Sequence, residues 1–299
     1  MRRERADAAL QLLQMWSAEG EQSTGCEQSG LVWSLCREPQ AVGARLEELA
    51  AWIEQPCSLE TLAATTSSLY DTLFRFVEER GLKLLRVWNY VPHILAPCAG
   101  GGLGYQAFNA GRYQAFQAHF GPPPWPVPAA TAVANAEPRL RIEFLATNGS
   151  AHFLENPKQR PAQRYSARWG RLPPVFVRGV SYVRGAQAWL IASGTASVVG
   201  EETLHPGQLA AQLEQSLSNL GALVNEENLQ AHGLQQAFTL QQLRWVRAYC
   251  TRPQDLEELR RLLQARLAES CGLELCHAAL CREDLLVELD ALFGVDAPA

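Results

Sequence analysis

Residues 173–208, PPVFVRGVSYVRGAQAWLIASGTASVVGEETLHPGQ, decide how the rest of the 299-residue chain is read. Two runs rich in β-branched and aromatic residues meet at Arg184-Gly185-Ala186, which is the pattern of a hairpin. A run of small residues follows, then a helix start. Small side chains let a ligand approach the backbone, so Gly194 and the hydroxyl of Thr195 are candidate binding positions. Arg178, on the strand leading in, offers a guanidinium that can hold an anion beside them. The same residues would also suit an ordinary buried hairpin packed with small side chains.

Toward the N-terminus, ENPKQRPAQRYSARWGRLPP reads as an arginine-rich loop. RLRIEFLA is a strand with Arg139, Arg141 and Glu143 on one face and Leu140, Ile142 and Phe144 on the other. GYQAFNAGRYQAFQAHFG carries Phe108, Phe116 and Phe120 at helical spacing, and Gly121 with the three prolines after it ends that helix. The glycines from Gly100 to Gly104 lack a P-loop lysine and read as a turn. KLLRVWNYVPHI is a buried strand stopped by Pro92. Ser58 is the expected N-cap of a helix on which Leu62, Leu69, Leu73 and Phe76 recur, closed by Gly81. Further upstream, AVGARLEELAAWIE has a helical pattern, LVWSLC a strand pattern, EGEQSTGCEQSG that of a polar loop, and residues 1–20 that of a helix.

Toward the C-terminus, Pro206 to Leu229 carries a helix, LRWVRAYC a strand, PQDLEELRRLLQARLAES a second helix, and LELCHAALCREDLLVELDALF a closing paired-strand region. This order repeats the first half. SLETLAATTSSLYDTLFRFV corresponds to HPGQLAAQLEQSLSNLGALV, LLRVWNYVPHI to LRWVRAYCTRP, and RLRIEFLA to LLVELDAL, with Glu143 and Glu288 expected at equivalent places. A duplicated α+β unit places function at the seam between its copies, because each sheet must cover a face and the seam forms a cleft.

Composition narrows the class. With 47% hydrophobic and 19% charged residues and no apolar run long enough to span a bilayer, the chain reads as a soluble globular protein with no membrane partner. The N-terminus MRRERADAALQLLQMW lacks the apolar core of a signal peptide, which gives a cytoplasmic expectation. A net charge of −5 argues against a broad nucleic-acid footprint, so any anionic ligand must meet local arginines. The eight cysteines form no CxxC pair. Cys271, Cys276 and Cys281 could suggest a metal site, but Cys276 and Cys281 fall in a strand-like run, where free cysteine acts as a small hydrophobe, so no metal is expected.

The chain resembles the chorismatases, a family similar to a duplicated RidA/YjgF-like fold. The residues that carry the likeness are RVWNYVPHI, YQAFNAGRYQAF, ENPKQRPAQRYSARWGRLPPVFVRG, SGTASVVGEETLHPGQ and CREDLLVELDALF, in the family's order over most of residues 83–293. The resemblance implies an α+β fold of two tandem RidA/YjgF-like (chorismate mutase-like) units forming a pseudo-symmetric pair, with an N-terminal helical extension. Residues 1–165 would form a divergent first domain and 166–299 the second. It implies removal of pyruvate from chorismate, giving 3-hydroxybenzoate and some 4-hydroxybenzoate, or a dihydroxycyclohexadiene carboxylate in a hydrolytic branch, with no metal and no organic cofactor.

The resemblance also implies roles. Glu288 aligns with the family's general acid on the enolpyruvyl methylene, a job for a carboxyl still protonated near neutral pH, and its apolar strand neighbours favour that by desolvation. Arg112 and Arg178 are the expected carboxylate clamps. Tyr165, and less directly Tyr105, would hydrogen-bond the substrate. Apart from the resemblance, Glu201 and His205 lie just before the helix, where they could act as acid or base but are read as capping or solvent-facing; the family often has a histidine where Glu201 stands. Two other readings compete. RidA-like hydrolysis of enamines or imines expects an arginine on the strand before the closing glutamate, and LELCHAAL has none. A non-catalytic protein binding a small aromatic acid would keep the cleft alone. Oligomeric state, monomer or trimer, stays open.

Overall fold

The computed structural model describes residues 21–26, 31–38, 46–184 and 186–296. The helix expected over residues 1–20 lies outside them. Two six-stranded sheets account for most of the rest. The first unit contains β1 (Glu21–Cys26), β2 (Val32–Glu38), β3 (Leu46–Pro56), helix α1 (Leu62–Glu78), β4 (Lys83–Val91), helix α2 (Gly104–Phe120), β5 (Ala129–Ala134) and β6 (Arg139–Thr147). The second contains β7 (Ala151–Leu154), β8 (Gly179–Arg184), β9 (Gln187–Ala196), the small hairpin β10 (Val198–Val199) and β11 (Glu202–Thr203), and helices α3 (Leu209–Val224) and α4 (Glu226–Ala231). It closes with β12 (Leu243–Cys250), helix α5 (Leu256–Gln264), β13 (Gly272–His277) and β14 (Val287–Asp296).

The duplication is visible in the strand order. The first sheet runs β1-β2-β3-β6-β4-β5 and the second β7-β8-β9-β14-β12-β13 when read from its opposite edge. Each has an antiparallel meander, then a parallel pair joined across a helix, and each inserts its last strand in the middle. The register fixes residue equivalence. Both β4 and β12 slip at the same step against their central partner, between Leu84 and Arg86 and between Leu243 and Trp245. Counting from that slip, Trp88 faces Glu143 as Arg247 faces Asp290, and Tyr90 faces Arg141 as Tyr249 faces Glu288. The counterpart of Glu143 is therefore Asp290, not Glu288, and Arg141 occupies the acid's place in the first unit. The first sheet ends at Thr147 and the second begins at Ala151; we propose the junction of the two units in the turn between them, ahead of residue 165.

Three local expectations change. Residues 46–56 form β3 rather than a helix. Leu49, Ala51 and Ile53 alternate along one buried face, and pairing with β2 and β6 on both sides overrides the helix propensity of LEELAA. Glu21–Cys26, expected in a loop, pairs with β2. The two closing strands, β13 and β14, do not pair with each other, because β12 lies between them. Helix α1 starts after Thr61, with Ser58 N–H donating to the Thr61 hydroxyl, so Ser58, the expected cap, sits one turn before the observed N-cap Thr61.

Helix α1 covers β3, β4 and β6, and α3 covers β9 and β14; the apolar core beneath α1 runs on through the seam to Ile191 and Tyr249 of the second unit, and a second core lies beneath α3. The uncovered sides meet where β5 packs on β9 and β8. Hydrogen bonds join them there: Val177 N–H donates to Pro128 O, and Ala130 N–H to the Ser193 hydroxyl at 2.8 Å. Helix α2 reaches this seam because Gly111 lets it settle on α1, where a Cβ would strike the Ala63 carbonyl. Its neighbour Arg112 is thereby lowered between the rings of Tyr70 and Phe116. No helix among the described residues is long and apolar enough to cross a membrane.

Candidate active site

A cavity of about 450 Å³ opens at the seam. The first unit contributes Thr131 and its neighbours on β5, with Tyr105, Gln106 and Arg112 on α2. The second contributes Gly194 and Ala196 on β9, Glu288 on β14, and two loops carrying Tyr165, Trp169, Phe176 and Arg178, and Cys281 and Arg282. Cleft formation between duplicated sheets thus follows from the fold itself.

Glu288 is the buried carboxyl of this cavity. It is 5% exposed, and burial first, then the charge of Asp290, pushes its carboxyl up to about 8, against the pull of Arg86, Arg178 and Arg282. A carboxyl of that kind is still protonated at neutral pH and can donate a proton to a bound molecule. The open backbone at Gly194 makes room for it, since a Cβ there would collide with Glu288 Oε1.

The cations are arranged around the acid. Arg112 is 2% exposed, and its Nε and Nη2 have no hydrogen-bond partner. Arg178 donates through Nη2 to the Tyr165 hydroxyl and to the Arg160 carbonyl, both at 2.9 Å, while its Nε is unpartnered. Arg282 stacks 3.5 Å above the Trp169 ring and donates to the Glu201 carbonyl. Buried guanidinium N–H groups without acceptors are costly, and a carboxylate-bearing ligand would satisfy them. Tyr105 lies beside them as a neutral phenol, its ionisation opposed chiefly by burial. The set can bind an aromatic-sized anion and protonate it.

Glu201 is neither the acid nor a helix cap. Its carboxylate accepts from Ser166 N–H at 2.9 Å and from the Ser166 hydroxyl, with Arg160 at 3.5 Å and Arg168 at 3.6 Å. These bonds pin the loop that carries Tyr165 and Trp169 over the cavity. Gln106 Nε2 adds a bond to the Trp169 carbonyl. His205 sits in the turn before α3 at φ 55°, and its carbonyl accepts from Gln208 N–H and Gln212 Nε2.

Of the residues singled out from sequence, Glu288, Arg112, Arg178, Tyr165, Tyr105 and Gly194 converge on the cavity. Thr195 does not. Strand alternation turns it to the other side of β9, where its hydroxyl donates to Ser193 O. Sequence reading passed over Arg282, although it lies within the quoted CREDLL run. It also passed over Asp290 on β14 and Arg86 on β4. Among the described residues, no group of three His, Cys, Asp or Glu could hold a metal ion.

Residues 14–146 match the family described as chorismatase FkbO/Hyg5-like, N-terminal. A chorismatase of Streptomyces rapamycinicus is 33% identical over 281 residues, covering 93% of this chain and 80% of that protein. A 3-hydroxybenzoate synthase of Streptomyces hygroscopicus is 28% identical over 296 residues, covering 96% and 83%. A crystal structure of a chorismatase superposes with a TM-score of 0.81 at 31% identity, over 91% of this chain and 79% of the other.

Proposed function

The chain belongs to the chorismatase family, and we propose that it acts on chorismate, removing pyruvate and leaving 3-hydroxybenzoate as the main ring product. The observation that carries this reading is Glu288, a carboxyl held neutral among guanidinium groups at one cavity. Chorismate brings two carboxylates for Arg112, Arg178 and Arg282, and an enol ether whose methylene carbon accepts a proton. Protonation by Glu288 gives an oxocarbenium-like species, which the resulting Glu288 carboxylate stabilises. The bond from ring carbon to ether oxygen then breaks, and that oxygen leaves as the keto oxygen of pyruvate. The ring loses one proton, which returns to Glu288, and becomes aromatic. If the ring hydroxyl stays on its carbon, 4-hydroxybenzoate results; if it attacks the neighbouring carbon as pyruvate leaves, the 3-isomer results. Pyruvate and hydroxybenzoate together account for every atom of chorismate, so no oxidant or water is consumed. The likeness to a 3-hydroxybenzoate synthase supports the choice of branch.

Incubation with chorismate alone, with products resolved by chromatography, tests the reading. Pyruvate with 3-hydroxybenzoate is expected. Pyruvate with a non-aromatic diene acid would move the enzyme to the hydrolytic branch, and 4-hydroxybenzoate alone would mean direct elimination. Pyruvate no higher than the spontaneous background would overturn the function.

Glu201→Ala is expected to raise KM for chorismate about tenfold with a smaller change in kcat, because it frees the loop that presents Tyr165 while leaving Glu288 in place. Steady-state kinetics decide this; an unchanged KM would show that the loop holds its position without the carboxylate.

A further inference from the structure

Asp290 lies two residues beyond Glu288 on the same face of β14, and both are buried. Its Oδ1 accepts from Arg86 Nη2 at 2.7 Å and from the Thr131 hydroxyl; its Oδ2 accepts from Trp88 Nε1 at 2.9 Å and from the Tyr249 hydroxyl at 3.1 Å. Three of these four donors come from the first unit. Four donors, one of them a guanidinium, suit an ionised carboxylate. Thr131 lines the cavity, yet its hydroxyl is fully occupied. It donates to Asp290 and accepts from Gly194 N–H at 2.9 Å and from Arg86. With one proton and two lone pairs already used, it has no hydrogen bond left for a ligand.

The two units differ at just this place. In the first unit the counterparts of Glu288 and Asp290 are Arg141 and Glu143, and Arg141 Nε donates to Glu143 Oε1 at 2.8 Å. An acid beside an acid in one copy is a cation beside an acid in the other. A neutral proton donor can persist beside a like charge, whereas an opposite charge at close range favours ionisation.

We propose that Asp290, fixed by Arg86, Thr131 and Trp88 of the first unit, is the positioning residue that keeps Glu288 loaded with its proton. The first unit then serves the reaction by holding a charge beneath the acid, having no acid of its own at the equivalent place. This rests on the reading of Glu288 as proton donor. The groups facing Glu288 act in both directions. Asp290 opposes its ionisation, while Arg86 on β4, Arg178 before β8 and Arg282 before β14 favour it. Tyr249 on β12 and Cys281 stay neutral at working pH, burial pushing the phenol well up and the thiol up to about 12. Glu283 and Asp284 add negative charge at the cavity wall.

The signs of two substitutions follow. Glu288 must be protonated to act, so kcat/KM in the wild type is lost as pH rises through about 8. Asp290→Asn removes the like charge and leaves Arg86 to favour the Glu288 carboxylate, so this limb moves down by a unit or more. Activity above the new limb falls tenfold for each unit of displacement. Arg86→Met removes a positive charge from the coupled pair, so the last proton leaves at higher pH and the limb moves up. Asn at 290 leaves a buried guanidinium uncompensated and is the variant at risk of not folding; Asp290→Asn combined with Arg86→Met removes both charges, and its limb, expected below that of Arg86→Met alone, carries the test if needed.

Limbs displaced in opposite directions are expected. A limb that stays put in either folded variant, or moves the same way in both, overturns the proposal. The infrared band of the protonated Glu288 carboxyl, isolated as the difference between wild type and Glu288→Gln and followed against pH, separates the two readings. If chorismate is not turned over but the band titrates at lower pH in Asp290→Asn, the function falls and the inference stands. If chorismate is turned over while neither limb nor band moves, the inference falls alone.

Discussion

Glu288→Gln is expected to lower kcat on chorismate about a thousandfold while the dissociation constant changes only a few-fold. General acids contribute on the order of 10² to 10⁴ to rate, and Gln removes the only proposed proton source in the cavity. Binding persists because the amide is neutral and nearly isosteric with the protonated acid, so the field at Arg112, Arg178 and Arg282 is little altered. Rapid-mixing turnover together with calorimetric binding separates the two effects. Turnover within tenfold of wild type would sink the proton-transfer step, and loss of binding in parallel would recast Glu288 as a ligand anchor.

The same substitution is expected to stabilise the protein. Between the unfolded value near 4.5 and the folded value near 8, the unfolded chain has released this proton and the native state retains it. Unfolding therefore releases a proton, and native stability falls as pH rises through that window. Below it both states are protonated and the slope vanishes. Gln does not titrate, so thermal unfolding followed from pH 5 to 8 should show a shallower decline for the variant, with its largest advantage at the upper end. Such a gain on removing a functional acid is the expected cost of holding a carboxyl neutral for catalysis.

The cavity was partly legible in the chain, and the division has a physical basis. Glu288, Arg112 and Arg178 stand in segments whose local pattern is strong, a β-hairpin, an aromatic-rich helix and an apolar closing strand, so their neighbourhoods could be read one at a time. Asp290 and Arg86 could not be assigned that way. Their meaning lies in a bond between residues 204 apart in sequence, on central strands of different units. The duplication was visible from segment order, but residue equivalence required the slip in β4 and β12, which no hydropathy pattern reveals. LEELAAWIE was misread because local propensity is weaker than pairing on both edges. Arg282 was missed because a loop arginine reads as solvated until Trp169 is seen beneath it.

Arg112→Met is expected to raise the melting temperature of the ligand-free protein by several degrees while lowering kcat/KM for chorismate at least about thirtyfold, chiefly through KM. The guanidinium is buried, its Nε and Nη2 lack acceptors, and the faces of Tyr70 and Phe116, at 5.2 and 6.0 Å, compensate it only in part. An uncompensated buried charge opposes folding, and an unbranched apolar side chain of similar length fills the same channel without that cost. The loss on the functional side follows from the same fact. A carboxylate entering the cavity completes the hydrogen bonding of a group already desolvated and already aimed, so little ordering is required when the pair forms. Removing one partner of such a pair costs on the order of 2–5 kcal/mol, which sets the thirtyfold floor. Scanning calorimetry without ligand and steady-state kinetics with chorismate read the two effects independently. A variant that melts lower than wild type and turns over normally would make Arg112 a packing residue of α2. One that melts higher with an unchanged KM would leave substrate binding to Arg178 and Arg282.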